Sequence, residues 1–250
     1  MPNIRLQPVQ GQMALHVLDV PAFPGEGFHL GIPEAIGDAA RCVWFGGVEP
    51  VWEGLGDGAW RQTARREGEL SYAITATPRE DVVELRLSLT NESDRAWAQS
   101  LAFNCFGCGG AGSVSDHECV RHWCGSGGEL RRLIEVPRRF SPRATVQLYS
   151  VEGAPPGADL PFVANFAATP DAVLEGWLAI QSRDETRLVA TASRPALFLF
   201  QNMEYSCIHS APGFGPLGPG ETGEAANLVY FTEGPLDAWR RRMIADLRGD

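Results

Sequence analysis

Asp81-Val82-Val83-Glu84-Leu85-Arg86-Leu87-Ser88-Leu89-Thr90 is the stretch on which the reading of this chain turns. Val83, Leu85, Leu87 and Leu89 fall to one side while Glu84, Arg86 and Ser88 fall to the other. Only a backbone whose side chains alternate, one up and the next down, sorts them this way. The stretch is a strand with one dry face and one wet face. Asn91-Glu92-Ser93-Asp94 follows, with side chains that bond their own backbone and turn it, and Trp97 to Phe106 reads as the returning strand. Upstream, Gly68 to Thr77 alternates Leu70, Tyr72, Ile74 and Ala76, and Thr77-Pro78-Arg79-Glu80-Asp81 connects it tightly to the next strand. A three-stranded meander is expected.

The same signal recurs outward in both directions, as short alternating runs broken by Gly, Pro, Asn and Asp. Strands are expected over Gln12 to Val20, Ala40 to Phe45, Ala144 to Ser150, Glu175 to Ser182, Arg187 to Thr191 and Ala196 to Gln201. Leu197-Phe198-Leu199-Phe200 is apolar on both faces, which places it mid-sheet with both sides covered. Pro219-Gly220 suits a type II turn, and Asn227 to Thr232 makes a last strand. Pro235 then opens a helix whose Leu236, Trp239, Met243, Ile244 and Leu247 form one stripe. The fold class expected is all-β, an antiparallel β-sandwich of jelly-roll or supersandwich-like type with a C-terminal α-helix. The 250 residues are within reach of one core, so a single domain over 1–250 is expected.

Composition narrows the chemistry. The formal charge of −10 opposes a nucleic-acid partner, which needs positive charge to displace phosphate counterions. All 21 basic residues are Arg, so mechanisms that need a Lys Schiff base, a Lys base or a P-loop Lys are excluded. No stretch reaches the roughly 20 apolar residues of a membrane span, and no membrane partner is expected. Met-Pro-Asn-Ile-Arg-Leu at the start lacks the pattern of a secretory leader. A cytoplasmic location is expected, with a trimmed secreted form equally compatible. Nucleophile-elbow, zinc-protease and dinucleotide motifs do not occur.

Two segments concentrate reactive side chains. Cys105, Cys108, His117, Cys119, His122 and Cys124 lie within twenty residues. Thiolates and imidazoles are zinc's preferred ligands, so these six form a candidate metal set with zinc as the candidate cofactor. Two other readings stand beside it: cysteines packed as small hydrophobes, and disulfides in an oxidising compartment. In the second segment, Asn202 to Ser210, Glu204, Tyr205 and His209 offer a carboxylate, a phenol and an imidazole. If the segment is extended, Tyr205, Cys207 and His209 share a face. A satisfied core-edge histidine is the alternative there. Arg121, Arg131 and Arg132 can clamp a carboxylate, and Trp123 can stack on a sugar ring. Trp97, Trp177 and Trp239 sit in regular patterns and read as core, whereas Trp52, Trp60 and Trp123 are better platform candidates.

Ser206-Cys207-Ile208-His209-Ser210 through Pro219-Gly220-Glu221-Thr222, with Leu228-Val229-Tyr230-Phe231-Thr232-Glu233-Gly234, resembles the C-terminal signature of uncharacterised environmental bacterial β-sandwich proteins of the carbohydrate-handling type. Leu101-Ala102-Phe103-Asn104-Cys105-Phe106 is similar to their central strand. The resemblance covers about the C-terminal half and implies a sugar-handling sandwich in which His209 is more than incidental. Cys108, Cys119 and Cys124 depart from the pattern. A mutarotase His-x-Tyr-Phe-Asn motif is missing from the chain, so epimerase activity is not carried over.

These readings converge on a carbohydrate-active enzyme, a polysaccharide lyase or glycoside hydrolase, with a small-molecule or oligosaccharide ligand on a sheet face. His122 and His209 are the expected acid and base, Tyr205 an assisting donor and Arg121 the clamp. Trp123, Arg131 and Glu204 are the expected substrate-binding residues. The alternatives are a non-catalytic carbohydrate-binding module and a zinc-stabilised structural or interaction protein.

Overall fold

Alternation is built here into two stacked nine-stranded sheets. The computed structural model describes residues 4–41, 43–44, 49–140, 144–159 and 168–248. Its strands run β1 (Arg5–Pro8), β2 (Ala14–Leu18), β3 (Phe28–Asp38), β4 (Val43–Trp44), β5 (Val51–Gly56), β6 (Ala59–Arg66), β7 (Leu70–Pro78), β8 (Val82–Asn91) and β9 (Trp97–Gly107). They continue with β10 (His122–Ser126), β11 (Glu129–Arg132), β12 (Val146–Val151), β13 (Ala168–Leu174), β14 (Trp177–Gln181), β15 (Arg187–Arg194), β16 (Ala196–Asn202), β17 (Cys207–Leu217) and β18 (Thr222–Glu233). Helix α1 (Leu236–Arg248) closes the chain. Of the strand expected over Ala40 to Phe45, Cys42 and Phe45 lie outside the described residues.

The first sheet is ordered β1-β2-β3-β9-β17-β16-β12-β13 with β4 beside β3, and the second β11-β10-β14-β15-β18-β8-β7-β6-β5. Pairing is antiparallel except between β12 and β13. The core lies between the sheets. It takes Val83, Leu85, Leu87 and Leu89 from β8, the face that the sequence marked as dry. Leu197 to Phe200 are all buried in β16, which has β17 on one side and β12 on the other.

The expected meander is corrected at its third strand. β7 and β8 pair, Ile74 facing Leu87, but β9 crosses to the first sheet. Most of β9 is buried on both faces, so it needs the middle of a sheet, between β3 and β17, rather than a place beside a half-wet hairpin. Asn91 turns the corner. Its fully buried side chain donates to the carbonyls of Arg95 (2.7 Å) and Leu217 (3.0 Å) and accepts from the Ser93 amide (2.9 Å). Gly220 supplies the positive φ of +77° that a type II turn needs at its third residue.

Helix α1 covers the part of the second sheet's outer face formed by β14, β15 and β18. Trp239 meets the ring of Trp177 at 5.1 Å and that of Tyr230 at 5.6 Å, both near-perpendicular. Arg242 forks onto Asp81 at 2.6 and 2.7 Å, a bidentate arrangement that fixes orientation as well as charge. The rest of that face carries an open cleft of about 730 Å³ lined by Arg61, Thr75, Glu84, Arg86 and Glu224, whereas thiols, an imidazole and a carboxylate converge on the outer face of the first sheet.

Candidate functional site on the outer face of the first sheet

Strand periodicity builds the site. Leu30 of β3, Phe106 of β9 and Ile208 of β17 point into the core between the sheets. Their neighbours therefore point the other way: His29 and Gly31, Cys105 and Gly107, Cys207 and His209. Cys207 faces Gly107 and Ile208 faces Phe106 across the β9–β17 ladder, and one further step brings Cys105 beside His209. Gly31 faces Cys105 across β3–β9. A Cβ there would sit 3.1 Å from Glu34 Cγ and 3.4 Å from Cys105 Cβ, so the bare glycine leaves the room that the Glu34 side chain occupies.

His209 is fixed from three directions. Its ring lies flat on Phe103, centroids 4.5 Å apart and planes 6° apart. Nδ1 donates to the Phe200 carbonyl at 3.2 Å, which turns Nε2 toward Glu34 Oε2, 3.7 Å away. That gap is an ion-pair contact beyond hydrogen-bond reach. Burial opposes the charged ring, but the Cys207 sulfur and the Glu34 carboxylate outweigh it and hold the His209 pKa well above the usual imidazole value. A hydrogen bond from the Cys105 thiol draws Cys207 below the usual thiol range, against burial and with help from His209. Cys105, donating that bond and buried, is pushed up. The result is a row of groups that share protons, in which Cys105 favours the thiol and Cys207 and His209 favour their charged forms.

This row forms the floor of a cavity of about 370 Å³ lined by His29, Glu34, Phe103, Cys105, Gly107, Phe200, Asn202, Tyr205, Cys207 and His209. The volume is that of a small ligand site. His29 is exposed at its mouth, and its ring meets that of His16 at 5.7 Å. Protein packed against His29 lowers its pKa, the like charge of His16 lowers it further, and Glu34 partly opposes both. His29 thus favours the neutral imidazole, on the same cavity as His209, which favours the charged one.

The structure distributes the expected residues unevenly. His209 and Tyr205 both line the cavity, with Tyr205 62% exposed at its rim. His122 does not. It lies on β10 of the second sheet, fully buried, its Nδ1 donating to Asp116 Oδ2 at 3.0 Å. Burial lowers its pKa, with Asp116 and the more distant Cys207 opposing, and His122 is not among the described residues that line the cavity of His209. The Arg121 guanidinium donates to the carbonyls of Ser113, Ser115 and Gln181, which occupies the donors that a substrate clamp needs. Trp123 lies under Arg132 at 4.7 Å and donates to Gln181 Oε1. Arg131 pairs with Glu129. Both sit near the edge of the second sheet, β10 and β11. Glu204 is exposed in the turn between β16 and β17.

Of the six residues expected to hold zinc, Cys105 alone joins a converging group of ligands among the described residues, and its partners are Cys207 and His209. Cys108, Cys119 and Cys124 are separately buried free thiols. His117 pins its loop instead, bonding the Met203 carbonyl at 2.9 Å and the Ser115 hydroxyl at 3.1 Å. Through that bond, and through the Asp116 amide donating to Ser206 Oγ at 2.9 Å, the two reactive segments do meet. They meet as a loop laid on a turn.

Sequence reading missed His29 and Glu34. The signal was present: Phe28, Leu30 and Ile32 alternate with His29 and Gly31, and the three apolar residues are buried. Trp97, Trp177 and Trp239 are buried, as their patterns suggested.

No helix is long and apolar enough to cross a membrane among the described residues. No protein-family model matches the sequence, and no curated protein matches it. Among solved structures, the chain is similar to a galactose mutarotase-like protein from Lactobacillus casei, at 10% identity over 92% of this chain and 97% of that one, TM-score 0.49. It is also similar to a galactose mutarotase related enzyme from Lactobacillus acidophilus, at 10% identity over 92% and 98%, TM-score 0.47. A polysaccharide lyase matches at 12% identity over 97% of this chain but 34% of its own length, TM-score 0.48.

Proposed function

We propose that this protein is an enzyme that moves protons on a neutral sugar ring held in the cavity between His29, Glu34 and His209. The observation that supports this most is the placement of two imidazoles and a carboxylate on one small cavity, with Glu34 Oε2 3.7 Å from His209 Nε2. Groups whose environments push their pKa values apart divide naturally into acid and base. His209 holds a proton at neutral pH and is the donor. His29, uncharged and open to the ligand, is the acceptor, and Glu34 balances the charge of His209.

The cavity suits one sugar unit. Its volume of about 370 Å³ is near the lower end for ligand sites. Tyr205 on the rim offers an aromatic face to the C–H side of a ring, and Asn202, Glu34 and His29 offer partners for hydroxyls. Glu34 is the one carboxylate among the described lining residues, whereas glycoside hydrolysis ordinarily takes a pair. No Arg lines the cavity among the described residues, so the acidic sugar on which a lyase works would meet no bidentate guanidinium clamp there. Opening and closing of a hemiacetal needs neither feature. One group takes the proton of the anomeric hydroxyl while the other delivers a proton to the ring oxygen.

The test is exchange between the α and β anomers of a panel of neutral aldoses, read by NMR magnetisation transfer at pH 7 and 5. The protein is expected to speed exchange for at least one aldose, and Glu34→Gln to abolish the gain. Exchange at the buffer rate across the panel, or full activity in Glu34→Gln, overturns the proposal.

A further inference from the structure

Three ligand atoms converge beneath that cavity. The sulfurs of Cys105 and Cys207 and a ring nitrogen of His209 lie within 4.8 Å of one another, and all three residues are buried. In a tetrahedral zinc site with metal–sulfur bonds of about 2.3 Å and metal–nitrogen bonds of about 2.0 Å, ligand atoms stand roughly 3.5–4 Å apart. The observed spacing therefore admits an ion after small adjustments. The ligands come from two neighbouring central strands, β9 and β17, rather than from a loop, which keeps their separation fixed by the ladder.

The surroundings match those of a metal-binding histidine. The ring that coordinates through one nitrogen ordinarily donates its other N–H to a carbonyl or carboxylate, and His209 Nδ1 donates to the Phe200 carbonyl at 3.2 Å. Phe103, stacked on the ring at 4.5 Å, removes its freedom to rotate. Glu34 Oε2, 3.7 Å from Nε2, stands where a fourth ligand or a bound water would be met. Gly31 keeps that space open, since a Cβ there would press on Glu34 and Cys105. Sulfur and imidazole donors select zinc-like ions over magnesium or calcium.

We infer that Cys105, Cys207 and His209 form a binding site for a zinc-class divalent cation, with its fourth position turned toward Glu34 and the cavity. Two thiolates and a neutral imidazole balance the ion's charge. Binding releases the protons held by Cys105 and His209 to solvent, and the cation then occupies the positive position that the His209 proton fills in its absence. An open fourth position is the arrangement of catalytic rather than structural zinc. The site uses the floor of the proposed sugar cavity and stands whether or not a sugar enters; with the ion bound His209 has no proton to give, so the anomer exchange proposed above belongs to the metal-free form.

Cobalt(II) titration of the fully reduced full-length chain tests this, since cobalt takes the same geometry and thiolate ligation gives it charge-transfer absorption. One equivalent is expected to bind with tetrahedral d–d bands and thiolate charge transfer, and zinc is expected to displace it. Cys105→Ser and Cys207→Ser should each weaken binding at least about a hundredfold, since losing even an outer partner costs about 10–100-fold. His117→Ala, in the cysteine-rich loop, should leave binding intact. Because a buried serine can impair folding, zinc-dependent elevation of the wild-type Tm is measured alongside and is expected to grow with zinc concentration. No cobalt bands and no Tm shift in reduced wild type overturn the inference, as do bands that survive loss of both cysteines. Glu34→Gln separates the two readings: it should stop anomer exchange while leaving the thiolate bands in place.

Discussion

Asp116→Asn is the substitution that most sharply separates a structural histidine from a catalytic one. Asp116 Oδ2 accepts the His122 Nδ1–H at 3.0 Å and the Arg121 amide at 2.7 Å, with the side chain 4% exposed. Burial alone would raise its pKa, but these two donors outweigh burial and bring it from 3.8 to about 2. The folded state thus binds the proton more weakly than the unfolded chain. The carboxylate's contribution is complete above pH 3.8 and is lost as pH falls through about 2. At about 1.4 kcal/mol per unit, the shift corresponds to about 2 kcal/mol, of which about 1 kcal/mol is gone by pH 3. His122 acts in the same direction: its buried, lowered pKa means that charging it in acid favours the unfolded chain. An asparagine can accept one of the two donors and turns an N–H₂ on the other, so a loss of about 2–3 kcal/mol is expected at pH 7. The assay is urea unfolding by tryptophan fluorescence at steps from pH 7 to pH 3. The gap between wild type and variant should be constant from pH 7 to 5 and then narrow by about 1 kcal/mol. Parallel curves down to pH 3 refute the assignment of this carboxylate as the acid-sensitive support of the 107–122 loop.

Other outcomes follow from packing and placement. Asn91→Ala leaves the Arg95 and Leu217 carbonyls and the Ser93 amide without their partner. A loss of about 2–4 kcal/mol in chemical unfolding is expected, far above that of an exposed Asn. Trp239→Ala, which empties the space between Trp177 and Tyr230, should cost about 3–5 kcal/mol and lower the Tm without altering anomer exchange. Trp123→Ala, on the second sheet, should leave sugar binding by calorimetry unchanged, whereas Tyr205→Ala at the cavity rim should weaken it.

The fold was largely legible because strands announce themselves by period two. The Val83 to Leu89 face, the doubly apolar Leu197 to Phe200 and the stripe of α1 all carried their burial in their spacing. Which sheet a strand joins depends on long-range pairing, and nothing local in Trp97 to Gly107 says that it leaves its hairpin neighbour. The site was legible in part for the same reason. Cys207 and His209 share a face by spacing alone, and His209 was singled out together with Tyr205. Its true partners, His29, Glu34 and Cys105, come from strands distant in sequence, and only the β3–β9–β17 ladder juxtaposes them. The dense Cys and His loop drew attention because its residues are close in sequence. Instead, His117 and the Asp116 amide hold that loop against the 203–206 turn, while His122 and Arg121 tie the loop together through Asp116 and the carbonyls of Ser113, Ser115 and Gln181.

The placement of the functional site on the outer face of the first sheet is tested most directly by following the histidine side-chain ¹H–¹⁵N signals during titration with neutral monosaccharides. The account predicts saturable shifts of His29 and His209 for at least one sugar, with His122 unmoved. Shifts confined to His122, or no saturable shift at His29 and His209 with any sugar, would contradict it.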